Sequence, residues 1–216
     1  MGENGAGKST LLKLLIRLYD VSDGAVLING KDIRDYDVHA LRMKIGVAFQ
    51  DVRILAMSLR DTLTVYGDAP DEALVRAMET LGLGSVLERV GGDLGTMISR
   101  EFTENGVVLS GGEAQRLALA RLLAGNFGLL ILDEPSAALD PLAEAKLMET
   151  IAEMAKNATT VMIAHRLSTV RDFDVIHYVE HGKIVESGSH DDLMARQGKY
   201  YKMFTTQAKK YYSSEA

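Results

Sequence analysis

Apolar residues recur along the chain with two alternating periods. Ser9–Tyr19 (STLLKLLIRLY) places them at helical spacing and predicts a helix. Ala25–Asn29 predicts a short strand that turns at Gly30, and Ile45–Phe49 and Leu129–Leu132 are apolar runs of strand length. Thr159–Ala164 is β-branched at its start and predicts a buried strand. Val175–Val179 and Lys183–Glu186 flank His181-Gly182 and predict a hairpin. Helices are expected at Asp71–Leu81, Glu113–Ala124, Pro141–Lys156 and Lys199–Lys210. Strands separated by helices predict an α/β fold with a mainly parallel sheet. From about Ser58 to Ala124 there is little strand signal, so an inserted helical segment is expected there.

Three glycines and a lysine bring chemistry to the first helix. Gly2-Glu3-Asn4-Gly5-Ala6-Gly7-Lys8-Ser9 matches G-x-x-x-x-G-K-[ST] in full. Glycines at positive φ let successive backbone N–H groups turn toward one anion, and the helix N-terminus adds a partial positive charge. Lys8 then reaches the β- and γ-phosphates, and the Ser9 hydroxyl holds Mg²⁺. A second anchor is Leu129-Leu130-Ile131-Leu132-Asp133-Glu134, an apolar strand ending in two carboxylates. At the carboxyl end of such a strand Asp133 suits Mg²⁺, and Glu134 suits an attacking water.

Leu109-Ser110-Gly111-Gly112-Glu113 opens the next strong helix. Locally it reads as a capping box, Ser110 answering Glu113 three residues on. That leaves the two adjacent glycines without a reason. They bare backbone N–H groups at a helix N-terminus, which makes a second anion-binding end.

With these motifs in place, the chain resembles the nucleotide-binding domain of an ATP-binding cassette (ABC) transporter. Ser110-Gly111-Gly112 resembles the heart of the family signature LSGGQ, with Glu113 where Gln is commoner. Asp133-Glu134 resembles the Walker B end with its catalytic glutamate, and Ser136-Ala137-Ala138-Leu139-Asp140 resembles the D-loop. Gln50 resembles the Q-loop glutamine and His165 the switch histidine. The motifs follow the family's order and cover nearly the whole chain. Ala164–Val170 and Gly182–His190 look exporter-like, and Glu104-Asn105-Gly106 resembles the exporter loop that touches the membrane domains.

The resemblance implies a P-loop NTPase (RecA-like) core over residues 1–55 and 126–216, with a helical subdomain over about 56–125. It implies that Asn4, Gly5, Ala6, Gly7, Lys8, Ser9 and Thr10 hold the phosphates of ATP. Ser9, Gln50 and Asp133 would address Mg²⁺, Glu134 would act as general base, and His165 would contact the γ-phosphate. Ser110, Gly111 and Gly112 would complete the site of a partner cassette, in a homo- or heterodimer, and Asp140 would couple the two sites. The chain would power export through partner transmembrane domains, at the cytoplasmic face of the membrane. Because Met1 stands where the strand feeding the phosphate loop should end, the resemblance also leads us to expect an N-terminally truncated cassette. That strand and the adenine-stacking aromatic would then be missing.

Composition narrows the field. The chain has 216 residues, 24 Lys+Arg against 30 Asp+Glu, a net charge of −6 and no Cys. It therefore has no disulfide framework and no thiolate metal site. Its longest uncharged stretch, Leu122–Leu132, is far short of the ~20 residues a bilayer crossing needs. No signal peptide is read after Met1, and Ala6 stands where a myristoylation signal wants Ser or Thr. The negative charge argues against a nucleic-acid partner. Two other readings remain at this point: a soluble ABC ATPase of repair or translation, and an inactive fragment of an exporter. His177-Tyr178-Val179-Glu180-His181 spells an inverted zinc-protease pattern, but its flanks predict strands where that pattern needs a helix. His39 and His190 lie in polar segments and are expected to face solvent.

Overall fold

The computed structural model describes residues 1–3, 5–50, 52–101, 103–136, 139, 141–164 and 167–213. In chain order the elements are α1 (Lys8–Leu15), β1 (Leu27–Ile28), β2 (Lys31–Asp32), α2 (Val38–Arg42), β3 (Ile45–Ala48) and α3 (Leu59–Leu63). Then come α4 (Asp71–Thr80), α5 (Gly84–Arg89), α6 (Gly111–Ala124), β4 (Leu129–Asp133), α7 (Pro141–Ala155) and β5 (Thr159–Ile163). The chain continues with α8 (Leu167–Val170), β6 (Ile176–Glu180), β7 (Lys183–Gly188), α9 (His190–Ala195) and α10 (Lys199–Ser213). It divides into two compact units, residues 1–33 with 163–216, and residues 34–162.

In the unit of residues 34–162, β3 pairs parallel with β4, and β5 lies on the other side of β4. A parallel pair needs a crossover. Here the crossover is long and carries α3, α4, α5 and α6, with the described residues of 90–110, between α5 and α6, outside any helix. Leu130, Ile131 and Leu132 are buried, as a central strand covered on both faces requires. One core runs from Leu59, Leu74, Met78 and Leu83 through Leu117 and Leu122 to Leu130, Leu132 and Leu147. Gly46 passes beneath it. A Cβ there would lie 2.9 Å from Phe127 and 3.0 Å from Leu122 and Leu130, so only glycine lets β3 run this close.

In the other unit, the expected helix over 9–19 is shorter than its apolar pattern. α1 ends at Leu15, Arg17 takes φ 53°, and Leu18 N–H bonds back to the Lys13 carbonyl. A left-handed residue with such a backward bond is how helices commonly stop. Asn29-Gly30 and His181-Gly182 both take positive φ at two successive residues, the turn that matches the twist of a two-stranded hairpin. They join β1 to β2 and β6 to β7. His177 and Glu180 thus stand on a strand, which a helical metalloprotease pattern does not allow. His190 departs from its expected exposure. It is half-buried, its Nδ1 lies 2.8 Å from the Tyr200 hydroxyl, and Tyr200 is fully buried with Ile176, Tyr178 and Leu193.

Candidate nucleotide site

The phosphate loop is fixed at both ends by the β6–β7 hairpin. Met1 exchanges two backbone hydrogen bonds with β6, donating to the His177 carbonyl at 2.7 Å and accepting from Val179 N–H at 2.8 Å. Gly2 follows at φ 143°, and a Cβ there would sit 2.1 Å from the Val179 carbonyl oxygen. At the far end the Gly182 N–H donates to the Ala6 carbonyl at 2.9 Å. The hairpin predicted from sequence therefore also buttresses the loop. Sequence reasoning missed this, because the two segments are about 175 residues apart.

Gly7 is the N-cap of α1 at φ 99°, where the absent side chain caps nothing and a Cβ would be strained. Lys8 is buried, and its Nζ donates to the carbonyls of Gly2 and Glu3, both at 2.8 Å. The ammonium is thus tied to its own loop, with Ser9 and Thr10 exposed on the first turn of the helix. An ammonium beside a helix N-terminus suits an oxyanion. Gly5 is exposed and Ala6 buried, and Asn4 lies outside the described residues.

In the unit of residues 34–162, β4 delivers Asp133, buried at its carboxyl end, and then Glu134. Glu134 takes φ 52°, a conformation that side chains other than glycine adopt at a cost of about 1–3 kcal/mol. Non-glycine strain of this kind concentrates at functional sites. Gln50, just past β3, donates from Nε2 to Glu134 Oε2 at 3.3 Å. Because β3 and β4 are parallel neighbours, both residues emerge at the same sheet edge. Gln115 was not singled out from sequence. It is buried on α6, and its amide donates to the Glu134 carbonyl at 3.3 Å. The available signal was a polar residue in line with Ala118, Leu119 and Leu122 on an apolar helix face.

The predicted capping box is present: Ser110 Oγ accepts from Glu113 N–H, and Glu113 Oε2 accepts from Ser110 N–H at 2.8 Å. Arg89, at the end of α5, donates to Glu113 Oε1 at 2.7 Å. Burial alone would push the Glu113 carboxyl up, but the Ser110 N–H, Arg89 and the Ser110 hydroxyl hold it below the usual carboxylate range. At the start of the segment that resembles the D-loop, Ser136 Oγ donates to Glu144 Oε1 at 2.8 Å, with both residues buried. His165 and Asp140 lie outside the described residues.

The profile of the family described as "ABC transporter" matches residues 1–137. The chain belongs to this family. It is 38% identical over 208 residues to the putative multidrug export ATP-binding/permease protein YgaD of Bacillus subtilis, covering 96% of this chain and 35% of that protein. It is 40% identical over 200 residues to the ATP-dependent lipid A-core flippase of Burkholderia orbicola, covering 92% and 33%. Its fold superposes on the structure of a bacterial Atm1-family ABC exporter with ATP bound at a TM-score of 0.85 and 36% identity, over 96% of this chain and 36% of that one. The cassette thus spans about a third of the relatives it matches. Its fold is the P-loop NTPase fold of the ABC ATPases, and ATP is the ligand the family implies.

Proposed function

We propose that the chain is the ATP-hydrolysing cassette of an exporter. The similar B. subtilis protein is described as a putative multidrug export ATP-binding/permease protein and the similar B. orbicola protein as an ATP-dependent lipid A-core flippase, which supports this reading. The observation that carries the catalytic part is Glu134, held at φ 52° with its carboxylate against Gln50. A strained carboxylate at the end of an apolar parallel strand suits a general base acting on water. The backbone of Gly5–Thr10 and Lys8 bind the phosphates; the Ser9 hydroxyl in one unit, and the Gln50 amide oxygen and Asp133 carboxylate in the other, are oxygen donors of the kind Mg²⁺ takes. When bound, the ion neutralises the charge of the transferring phosphoryl group. The protein's share of the chemistry is positioning and charge complementarity.

Ser110, Gly111 and Gly112 serve the nucleotide of a second cassette, His165 supports the γ-phosphate geometry, and Asp140 links the two sites. ATP binding closes the cassette pair and hydrolysis releases it, a shift between two populations. The helical subdomain is about residues 56–125, inserted in a core of 1–55 and 126–216. Membrane domains supply the pathway across the cytoplasmic membrane. Among the described residues no helix is long and apolar enough to cross a membrane. An open groove lined by Val52, Ile54, Ile98, Val108 and Leu109 and also by Ser99, Arg100 and Glu101, with exposed Leu55 and Val108, supports docking of such a domain. The test is Glu134→Gln in the assembled transporter. ATP binding should persist while phosphate release falls ~10²–10⁴-fold, the range of a lost general base. Turnover at the parental rate would overturn the assignment.

A further inference from the structure

Glu113 poses an electrostatic problem. It places a carboxylate in the first turn of α6, the turn that bares Gly111 and Gly112. An acidic residue there satisfies the helix dipole. The same charge repels any second anion brought to the turn, so capping and phosphate binding compete for one positive end. A Gln at this position would cap without the charge.

Arg89 resolves the competition. Its guanidinium spans from α5 to the signature segment, one nitrogen donating to the Val108 carbonyl at 3.4 Å and the other to Glu113 Oε1 at 2.7 Å. The Glu113 side chain is 13% exposed and that of Arg89 42%, so the pair is open to solvent on the Arg89 side and its strength depends on salt. The remaining carboxylate oxygen, Oε2, is engaged by the Ser110 N–H. Arg116 also approaches the turn, its guanidinium 3.6 Å from where a Gly112 Cβ would stand. We infer that Arg89 is a positioning residue of the signature segment: it cancels the charge of Glu113 and so lets the N-terminus of α6 receive a nucleotide phosphate. This rests on the reading that the signature segment touches nucleotide.

The experiment is a double-mutant cycle on ATP hydrolysis in the assembled transporter, with Arg89→Ala, Glu113→Gln and the pair, and with Gly112→Asp as a control. Arg89→Ala leaves Glu113 uncompensated and should raise the ATP concentration for half-maximal turnover about tenfold, more at low salt. In the Glu113→Gln background the same change should shift it less than about twofold. Arg89→Lys, which keeps the charge, should lie near the parental value. An equal loss from Arg89→Ala in both backgrounds would mean that Arg89 only ties α5 to α6, and would overturn the proposal. A Gly112→Asp variant that is inactive beside a fully active Arg89→Ala would also overturn it. If Gly112→Asp turns over normally, the signature reading itself fails, and the proposal with it. Thermal unfolding of each variant separates these outcomes from loss of folding.

Discussion

The side-chain amide of Gln50 donates to the carboxylate of Glu134 across the carboxyl edge of two parallel strands, 84 residues apart in sequence. The amide holds one oxygen of a residue whose backbone is already strained. On the proposed reading of Glu134 as the base, this bond leaves its other oxygen a restricted direction, which is what activation of a single water requires. Gln50→Ala should therefore lower the maximal hydrolysis rate by about ten- to a hundredfold, as misplacement of a catalytic group does. ATP affinity should change less. A rate unchanged within twofold, measured by phosphate release at saturating ATP, would remove Gln50 from the catalytic arrangement.

Lys8 provides the second test. Its ammonium bonds two carbonyls of its own loop at 2.8 Å, and the same donors suit phosphate oxygens. Lys8→Ala should weaken ATP binding by at least about tenfold, since a charge-assisted hydrogen bond contributes about 1.5–3 kcal/mol. Isothermal titration with a non-hydrolysable ATP analogue reads this directly.

Glu144 has a structural role that no motif announces. It accepts the Ser136 hydroxyl in a buried site just past Glu134. Glu144→Ala leaves that hydroxyl without this partner and should cost about 1–3 kcal/mol in urea unfolding. Glu144→Gln keeps an acceptor and should cost less. Equal losses for the two variants would show that charge, not the hydrogen bond, matters there.

Gly46→Ala tests the packing under β3. The added Cβ meets Phe127, Leu122 and Leu130 at 2.9–3.0 Å in a full core. Overpacking of this kind costs about 1–3 kcal/mol. The midpoint of chemical unfolding should fall with an unchanged slope. Stability equal to the parent would mean that the ring of Phe127 yields freely.

Much of this molecule was legible in the sequence because its signals are local. The phosphate loop, the capping box at Ser110 and Glu113, and the acidic end of β4 each depend on a few consecutive residues. Apolar runs placed β3, β4 and β5 to within a residue or two, since buried parallel strands have little freedom to be polar. The short helices α2, α3, α5 and α9 escaped detection, because five or six residues carry too little periodicity to stand out from loops. The extent of α1 was overestimated for the opposite reason: its apolar spacing continues past the residue, Arg17, whose backbone ends the helix.

Pairings between distant segments are a different matter. Hydrophobic spacing and motif order determined which residue types stand at the ends of which elements, and hence the family. They carry no information on which side chain of one element meets which of another. Only tertiary structure brought Gln50 to Glu134, Arg89 to Glu113, Ser136 to Glu144 and the Gly182 turn to Ala6. Each of these contacts depends on the register of strands or the rotation of a helix about its axis. Long-range packing sets both, and a shift of one residue turns a side chain to the opposite face.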